Sequence, residues 1–318
     1  MKILIVHKAV IPVLQYGGTE RVIWYLGKEL VKLGHEVRFL VSPQSHCEFA
    51  KVISIQPHKS IASQIPEDID VVHFQAEPDE AISAPYVVTM HGNKSDSKPL
   101  DRNTLFVSRN HARRFGSDQF VYNGLDWDDY GMPELKNKRS YFHFLGNASW
   151  RVKNLRGAIA LIQKTKAERL YVLGGHRLNF NMGFRFTWSP RIRFFGMVGG
   201  NEKLDLLQGS KGLIFPVLWD EPFGLALMES LYFGCPVFGT PRGSLPELIP
   251  DSVGYLSNDV QALVQAIEDA AQFDREACHL HAKKHFHSKK MAEQYVQKYR
   301  QVMNGHFLNE QAPSLITP

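Results

Sequence analysis

Short apolar runs alternate with stretches of helical periodicity, and the alternation occurs twice along the chain. In the first series ILIV (3–6), VRFLV (37–41), VVHF (71–74), YVVTM (86–90) and TLFVS (104–108) have the length of buried strands. Val22, Leu26, Leu30 and Leu33 recur at helical spacing, and Gly34 stands where a C-cap glycine is expected. Strand, glycine pair, helix and strand in about forty residues make a βαβ unit. In the second series FHFLG (142–146), YVLGG (171–175), RIRFFGMV (191–198), GLIFPV (212–217) and PVFGT (236–240) read as strands. GAIALIQKT (157–165), LDLLQG (204–209), FGLALMESLYFG (223–234) and DVQALVQAIEDAAQF (259–273) read as helices.

Such alternation builds parallel sheets. The expected class is α/β, with two doubly wound Rossmann-like domains facing a cleft. The domains are placed at 1–125 and 126–286, and 287–318 is read as a helix crossing back to the first domain, with a frayed tail APSLITP. VYNGLD (121–126) carries an Asn-Gly turn signal, and the polar segment 127–140 reads as a linker.

The 318 residues leave room for two domains. No apolar run approaches the ~20 residues of a membrane span, and MKILIVHK reads as a first strand rather than a signal peptide. Cys47, Cys235 and Cys278 are odd in number and widely spaced, which fits a reducing cytoplasm and no cysteine metal site. The net charge of +5 suits an anionic partner: a nucleotide, a phosphate or acidic lipid headgroups. Long Lys/Arg runs are missing, so nucleic acid is not expected as a partner.

Two places carry chemistry. Gly17-Gly18 precede a helix whose first amides lack partners, and glycines let an anion approach such amides, so a diphosphate cradle is one reading and a plain turn capped by Thr19 the other. The second is WDEPFGLALMESLYFGCPVFGTPRGSLPELI (219–249). Asp220-Glu221 is expected to end a strand, Pro222 to take the first helical position, and Glu229 to lie ~12 Å further along the helix. Two carboxylates so spaced, with the amides of Phe223, Gly224 and Leu225 beside the first, suit an extended ligand with hydroxyls at both ends and phosphates between them: a nucleotide sugar.

This segment resembles the E-x7-E signature of retaining glycosyltransferases of the GT-B fold, family-4 (glycosyl transferases group 1) type, through Glu221, Pro222, Phe223, Gly224, Leu225, Glu229, Gly234, Pro236, Val237, Gly243, Pro246 and Glu247. YGGTERVI, VVTMHG (87–92), VYNGLD, RFFGMV and SVGYL (252–256) are similar to other elements of that family. The resemblance implies that Glu229 binds ribose hydroxyls and Glu221 the donor sugar. It places the amides of 223–225 and Gly17-Gly18 at sugar and diphosphate, Met197 and Val198 at the base, and His91 beside the sugar and β-phosphate. The family arginine and lysine on the diphosphate are matched unevenly: Lys153 stands one residue late, Asn147 takes the arginine's place, and Arg151 lies nearby.

The resulting expectation is a cytoplasmic enzyme, in peripheral contact with a membrane's inner face as an option. It is a metal-independent retaining hexosyltransferase with no cofactor, moving a sugar from an NDP-sugar, UDP-linked, to a hydroxyl acceptor by a front-face mechanism. Catalysis is assigned to His91, Lys153 and Glu221, and donor binding to Gly17, Gly18, Asn147, Arg151, Met197, Val198, Phe223, Gly224, Leu225 and Glu229. A nucleotide-sugar epimerase of the same fold and a non-catalytic nucleotide-sugar-binding subunit are the rivals; the missing G-x-G-x-x-G argues against a nicotinamide dehydrogenase. His281 and His285, at i and i+4, have zinc spacing but no acid placed with them, so a solvated basic face is expected. Phe184, Phe186 and Trp188 alternate as in a β-hairpin covering the second domain; contact with an acceptor or a membrane is the other reading. Trp24, Tyr25, Lys28 and Lys32 fit either a buried helix face or an amphipathic contact with a bilayer.

Overall fold

A computed structural model describes residues 1–13, 17–180 and 184–316. Tyr16 of the glycine loop, the tip of the expected hairpin and the last two residues lie outside the described residues. The chain divides into two compact units. Unit 1 comprises Met1–Val13, Gly17–Asp126 and the stretch from Phe286 onward; unit 2 runs from Trp127 to His285.

Unit 1 contains β1 (Lys2–His7), α1 (Gly18–Lys32), β2 (Glu36–Val41), β3 (Lys51–Ser54), β4 (Val71–Phe74), β5 (Tyr86–Met90), β6 (Thr104–Phe106) and α2 (Arg109–Arg114). Its six strands are all parallel, in the order β3-β2-β1-β4-β5-β6. Ile3, Leu4, Val71 and Val72 are fully buried, as the continuous apolar runs of a sheet covered on both faces require. The order reverses between β1 and β4, and ligands of such sheets bind at the carboxyl ends of the strands at this switch. Gly34, at φ 84, follows α1 as expected.

Unit 2 contains β7 (Tyr141–Leu145), α3 (Leu155–Lys164), β8 (Leu170–Leu173), β9 (Leu178–Asn179), β10 (Arg185–Phe186), β11 (Ile192–Phe194), α4 (Gly200–Gln208), β12 (Ser210–Phe215), α5 (Leu225–Tyr232), β13 (Val237–Gly239), α6 (Leu245–Leu248), β14 (Gly254–Leu256), α7 (Val260–Glu268) and α8 (Arg275–His285). Its main sheet is parallel, in the order β11-β8-β7-β12-β13-β14, with the switch between β7 and β12. His143 on β7, fully buried, joins this sheet to α5 by bonding with Ser210 Oγ (2.6 Å) and Ser230 Oγ (2.8 Å).

After unit 2 the chain returns to unit 1. Leu125 N donates to Phe286 O and Ser288 N to Leu125 O, both at 2.9 Å. A Cβ on Gly124 would lie 2.7 Å from His287 O, so this glycine is required by the returning strand. Its φ lies outside the left-handed region, and no turn forms at the Asn-Gly pair. The final helix, α9 (Ser288–Met303), packs on α1 and β5. Tyr299 OH lies 2.8 Å from His73 Nδ1, Thr89 Oγ1 2.7 Å from His73 Nε2, and Tyr295 OH 2.9 Å from Thr89 Oγ1, all of them buried.

Several expectations are corrected. The segment 127–140 is not a bare linker: Trp127–Tyr130 form a 3-10 turn, and Trp127 is buried and stacks on Tyr232 at 4.3 Å. The tail is not frayed through Ile316, because Leu100 N, Ser314 N and Ile316 N all bond into neighbouring backbone and Leu315 is buried. Phe186 lies in the antiparallel pair, flanked by Phe184 and Trp188, but the three are 61% (Phe184), 43% (Phe186) and 84% (Trp188) exposed rather than buried against the sheet. The face of α1 is occupied within unit 1: Trp24 packs edge-on against Phe49, and Lys28 and Lys32 pair with buried Asp126. No helix among the described residues is long and apolar enough to cross a membrane.

Burial holds the His73 and His143 rings down to about 3, far below the ordinary 6.5, so both are neutral in the folded protein. Histidines of the unfolded chain take up protons near 6.5, so acid favours unfolding. Their contribution is complete above pH 6.5 and is lost as the pH falls toward 3. Each such histidine is expected to cost about 1.4 kcal/mol per pH unit in that window. Melting temperatures measured from pH 8 down to pH 4.5 should fall below 6.5, and a His73→Gln variant, less stable at pH 8, should show a shallower fall.

Candidate functional site

In unit 2 the site is built where β7 and β12 diverge. Beyond β12 the chain runs through Val217, Trp219 and Glu221 before α5 begins. Glu221 does not end the strand, which stops at Phe215, and Pro222 is outside the helix. Gly224 breaks the run at φ 86, in the left-handed region that suits glycine, and serves as the N-cap of α5. The eight-residue interval from Glu221 to Glu229 is therefore helical only from Leu225 on, and the 12 Å helical rise does not apply.

Glu221 is 5% exposed. Its Oε2 accepts from Lys153 Nζ at 2.6 Å and from Trp219 Nε1 at 2.8 Å. Lys153 ends a 3-10 turn, Arg151–Lys153, between β7 and α3, and its ammonium also faces the rings of Trp219 and Phe215 at 5.0 and 5.4 Å. The loop that follows β13 presses against this carboxylate's backbone. Gly243, at φ 60, lies so close that a Cβ would overlap the N and O of Glu221, and Ser244 N donates to Glu221 O at 2.9 Å. The glycine in PRGSLPELI is thus explained by a close approach.

Glu229, 2% exposed, lies in the middle of α5. Its Oε1 accepts from Lys203 Nζ of α4 at 2.5 Å and from Tyr130 OH at 2.9 Å. Neither donor was reached from the sequence. Lys203 reads as one cation of an amphipathic helix, yet it is 8% exposed, and a buried lysine demands a carboxylate. Tyr130 lies in the segment read as linker.

The remaining unit 2 residues are arranged around these pairs. Gly146, Gly174 and Gly196 follow β7, β8 and β11 at φ 152, 132 and 73, and a Cβ on Gly174 would overlap Gly146 O. Bare backbone therefore lines the strand ends. Asn147 turns its Oδ1 to Ser149 N (3.0 Å), and Arg151 is exposed. Met197 and Val198 lie beyond β11, which ends at Phe194; Met197 is 39% exposed and Val198 buried. Phe223 is buried, and Gly224, the N-cap of α5, has no side chain to cap the helix's first amides.

Unit 1 holds His91, Gly17 and Gly18. A cavity of about 400 Å³ at the switch between β1 and β4 is lined by His7, Thr19, Glu20, Gln75, His91 and Asn93 among others. Burial holds His91 down to about 4, so its ring is neutral, and its Nε2 lies 2.7 Å from Gln75 Oε1. Gln75 is 8% exposed, and its Nε2 has no partner among the described residues. A hydrogen bond from His7 lowers the Glu20 carboxyl. Gly17 sits at φ 174, extended backbone; a Cβ there would meet Glu20 Oε2 at 2.7 Å and Val13 at 2.9 Å. The chain's own packing is thus reason enough for this glycine.

His281 and His285 lie with their rings 4.7 Å apart, His281 Nε2 bonds with Leu248 O at 3.0 Å, and no group of three or more metal-ligating side chains is found among the described residues.

The two parallel sheets match the fold of solved GT-B glycosyltransferase structures. AviGT4, a glycosyltransferase involved in avilamycin A biosynthesis, superposes with a TM-score of 0.76 at 21% identity over 96% of this chain and 98% of its own. HepE of Anabaena, solved in complex with UDP and glucose, gives 0.67 at 15% identity over 95% of this chain and 100% of its own. Residues 139–272, most of unit 2, match the family described as Glycosyl transferases group 1. The O-antigen chain mannosyltransferase B of Escherichia coli is 28% identical over 147 residues, 43% of this chain and 38% of its own. The chain spans between 33% and 38% of the length of the curated relatives it matches.

Gly243→Ala places a methyl group against Glu221 and forces a left-handed residue to carry a Cβ. The variant is expected to melt several degrees lower, a loss of about 2 kcal/mol or more, and unchanged melting would show that the loop can yield.

Proposed function

We propose that the protein is a glycosyltransferase that moves a sugar from a nucleoside diphosphate sugar to a hydroxyl acceptor. The observation that carries the reading is the pair of buried carboxylates in the region that matches the group 1 family, each ion-paired to a lysine from another element. Each lysine offsets the cost of burying its carboxylate, yet such pairs rarely add net stability, which supports a role toward a ligand for these two beside the strand ends. Glu229, held by Lys203 and Tyr130, offers an anionic oxygen pair to the ribose hydroxyls. Glu221 offers the same to the donor sugar. Lys153 exchanges its bond with Glu221 for the diphosphate and offsets the charge that develops on the leaving group. The bare strand ends at Gly146, Gly174 and Gly196 let the nucleotide approach, with Met197 and Val198 on its base and the α5 amides on its phosphates. HepE, with UDP and glucose bound, supports a UDP-linked donor.

The transfer runs with retention and without a metal, the charge role falling to Lys153. The bond from the anomeric carbon to the β-phosphate oxygen breaks. The acceptor oxygen bonds to that carbon on the same face, and its proton passes to the departing phosphate, giving glycoside and UDP. The unit 1 cavity suits hydroxyl groups: Glu20 accepts, Gln75 Nε2 donates, and neutral His91 adds no charge.

Two tests follow. UDP and UDP-sugars should raise the melting temperature, with ~2.7 kcal/mol of added stability at 100 times the Kd; ADP and GDP raising it more would overturn the uridine assignment. With a donor and acceptor that release UDP, Glu221→Gln and Lys153→Met should each lower kcat about 100-fold or more, whereas Lys203→Met should chiefly raise the donor KM. Interconversion of UDP-sugar isomers without UDP release would replace transfer with epimerisation, and wild-type rates in the Glu221 and Lys153 variants would remove them from the site.

A further inference from the structure

Both side-chain donors to Glu221 meet the same oxygen. Lys153 Nζ and Trp219 Nε1 each donate to Oε2, at 2.6 and 2.8 Å, and Oε1 takes no hydrogen bond among the described residues. The two donors respond differently to an anion. The Lys153 ammonium is a point charge on a flexible stem, and a phosphate attracts it. The indole N–H of Trp219 is neutral, donates only and is carried by a rigid ring. A diphosphate that draws Lys153 away from Glu221 leaves Trp219 in place.

The backbone around Trp219 is fixed on both sides. Leu218 N donates to Val152 O at 2.8 Å, which ties the loop after β12 to the turn that carries Lys153. Thr240 Oγ1 donates to Val217 O at 2.6 Å, and Ser244 N holds Glu221 O from the loop after β13. The tryptophan ring in turn faces Lys153 Nζ at 5.0 Å. Trp219 is itself half-buried, whereas Glu221 is buried. A buried carboxylate that loses its ammonium partner needs a donor that stays. This loop supplies one from the same short stretch of chain.

We propose that Trp219 is a positioning residue: its indole N–H holds Glu221 Oε2 while Lys153 serves the diphosphate, so that Oε1 is aimed at the hydroxyls of the donor sugar. This rests on the reading of Glu221 as the sugar-binding carboxylate and adds the group that orients it. Lys153 then answers to the diphosphate and Trp219 to the sugar. Removing the indole N–H weakens recognition of the sugar and spares that of the nucleotide.

The test is calorimetric titration of the full chain, wild type and Trp219→Phe, a variant that keeps an aromatic ring against Lys153 and removes the N–H. The probes are UDP and UDP-glucose, replaced by ADP and ADP-glucose or by GDP and GDP-mannose where the wild type binds that base more tightly. The variant should bind the nucleoside diphosphate within about twofold of wild type and the sugar nucleotide about tenfold more weakly. Equal weakening for both ligands would reduce Trp219 to a structural residue, and unchanged affinity for both would remove its N–H from any role toward the sugar; either result overturns the proposal. Failure of the wild type to bind any of these nucleotides would instead overturn the donor reading itself, and the proposal with it.

Discussion

The structure of unit 2 depends on keeping two carboxylates out of water. A buried carboxylate without a partner costs several kcal/mol, and a buried ion pair rarely returns more than it costs. Glu221 and Glu229 are both almost fully buried, and each is met by a lysine and by a second donor, Trp219 or Tyr130. The donors come from four separate stretches of chain. Meeting them fixes the turn after β7, the loop after β12, the helix α4 and the segment leading in from unit 1. Gly243 follows from the same demand, since the β13 loop must close over the Glu221 backbone.

Unit 1 uses the same parallel plan with different chemistry. At the centre of its sheet the buried polar groups are neutral histidines and hydroxyls, while buried Asp126 and Glu29 pair with lysines of α1. The chain from His73 through Thr89 to Tyr295 and Tyr299 binds the returning helix α9 to the centre of the sheet. His91 and Gln75 extend this neutral chemistry to the cavity at the switch point, where Gln75 Nε2 has no partner among the described residues.

The sequence showed the strands and helices well where burial on both faces made apolar runs continuous, as in β1, β4 and β12. It missed β3, whose four residues are half exposed and carry no clear period. The motif around Glu221 and Glu229 was legible because its glycines and prolines are local. The geometry of the interval was not, because Gly224 delays the helix to Leu225. Tyr130 and Lys203 were out of reach for a related reason: each matters only through a partner 99 or 26 residues away. The tail was misread for want of the same long-range information, since its backbone bonds run to residues 100, 114 and 115.

The most direct test of the central claim is a crystal of the protein soaked with UDP. The account places the ribose hydroxyls on Glu229 and the diphosphate within hydrogen-bond distance of Lys153, with the Lys153 to Glu221 bond opened. Density for the nucleotide away from both glutamates, with the two lysine pairs intact, would contradict it.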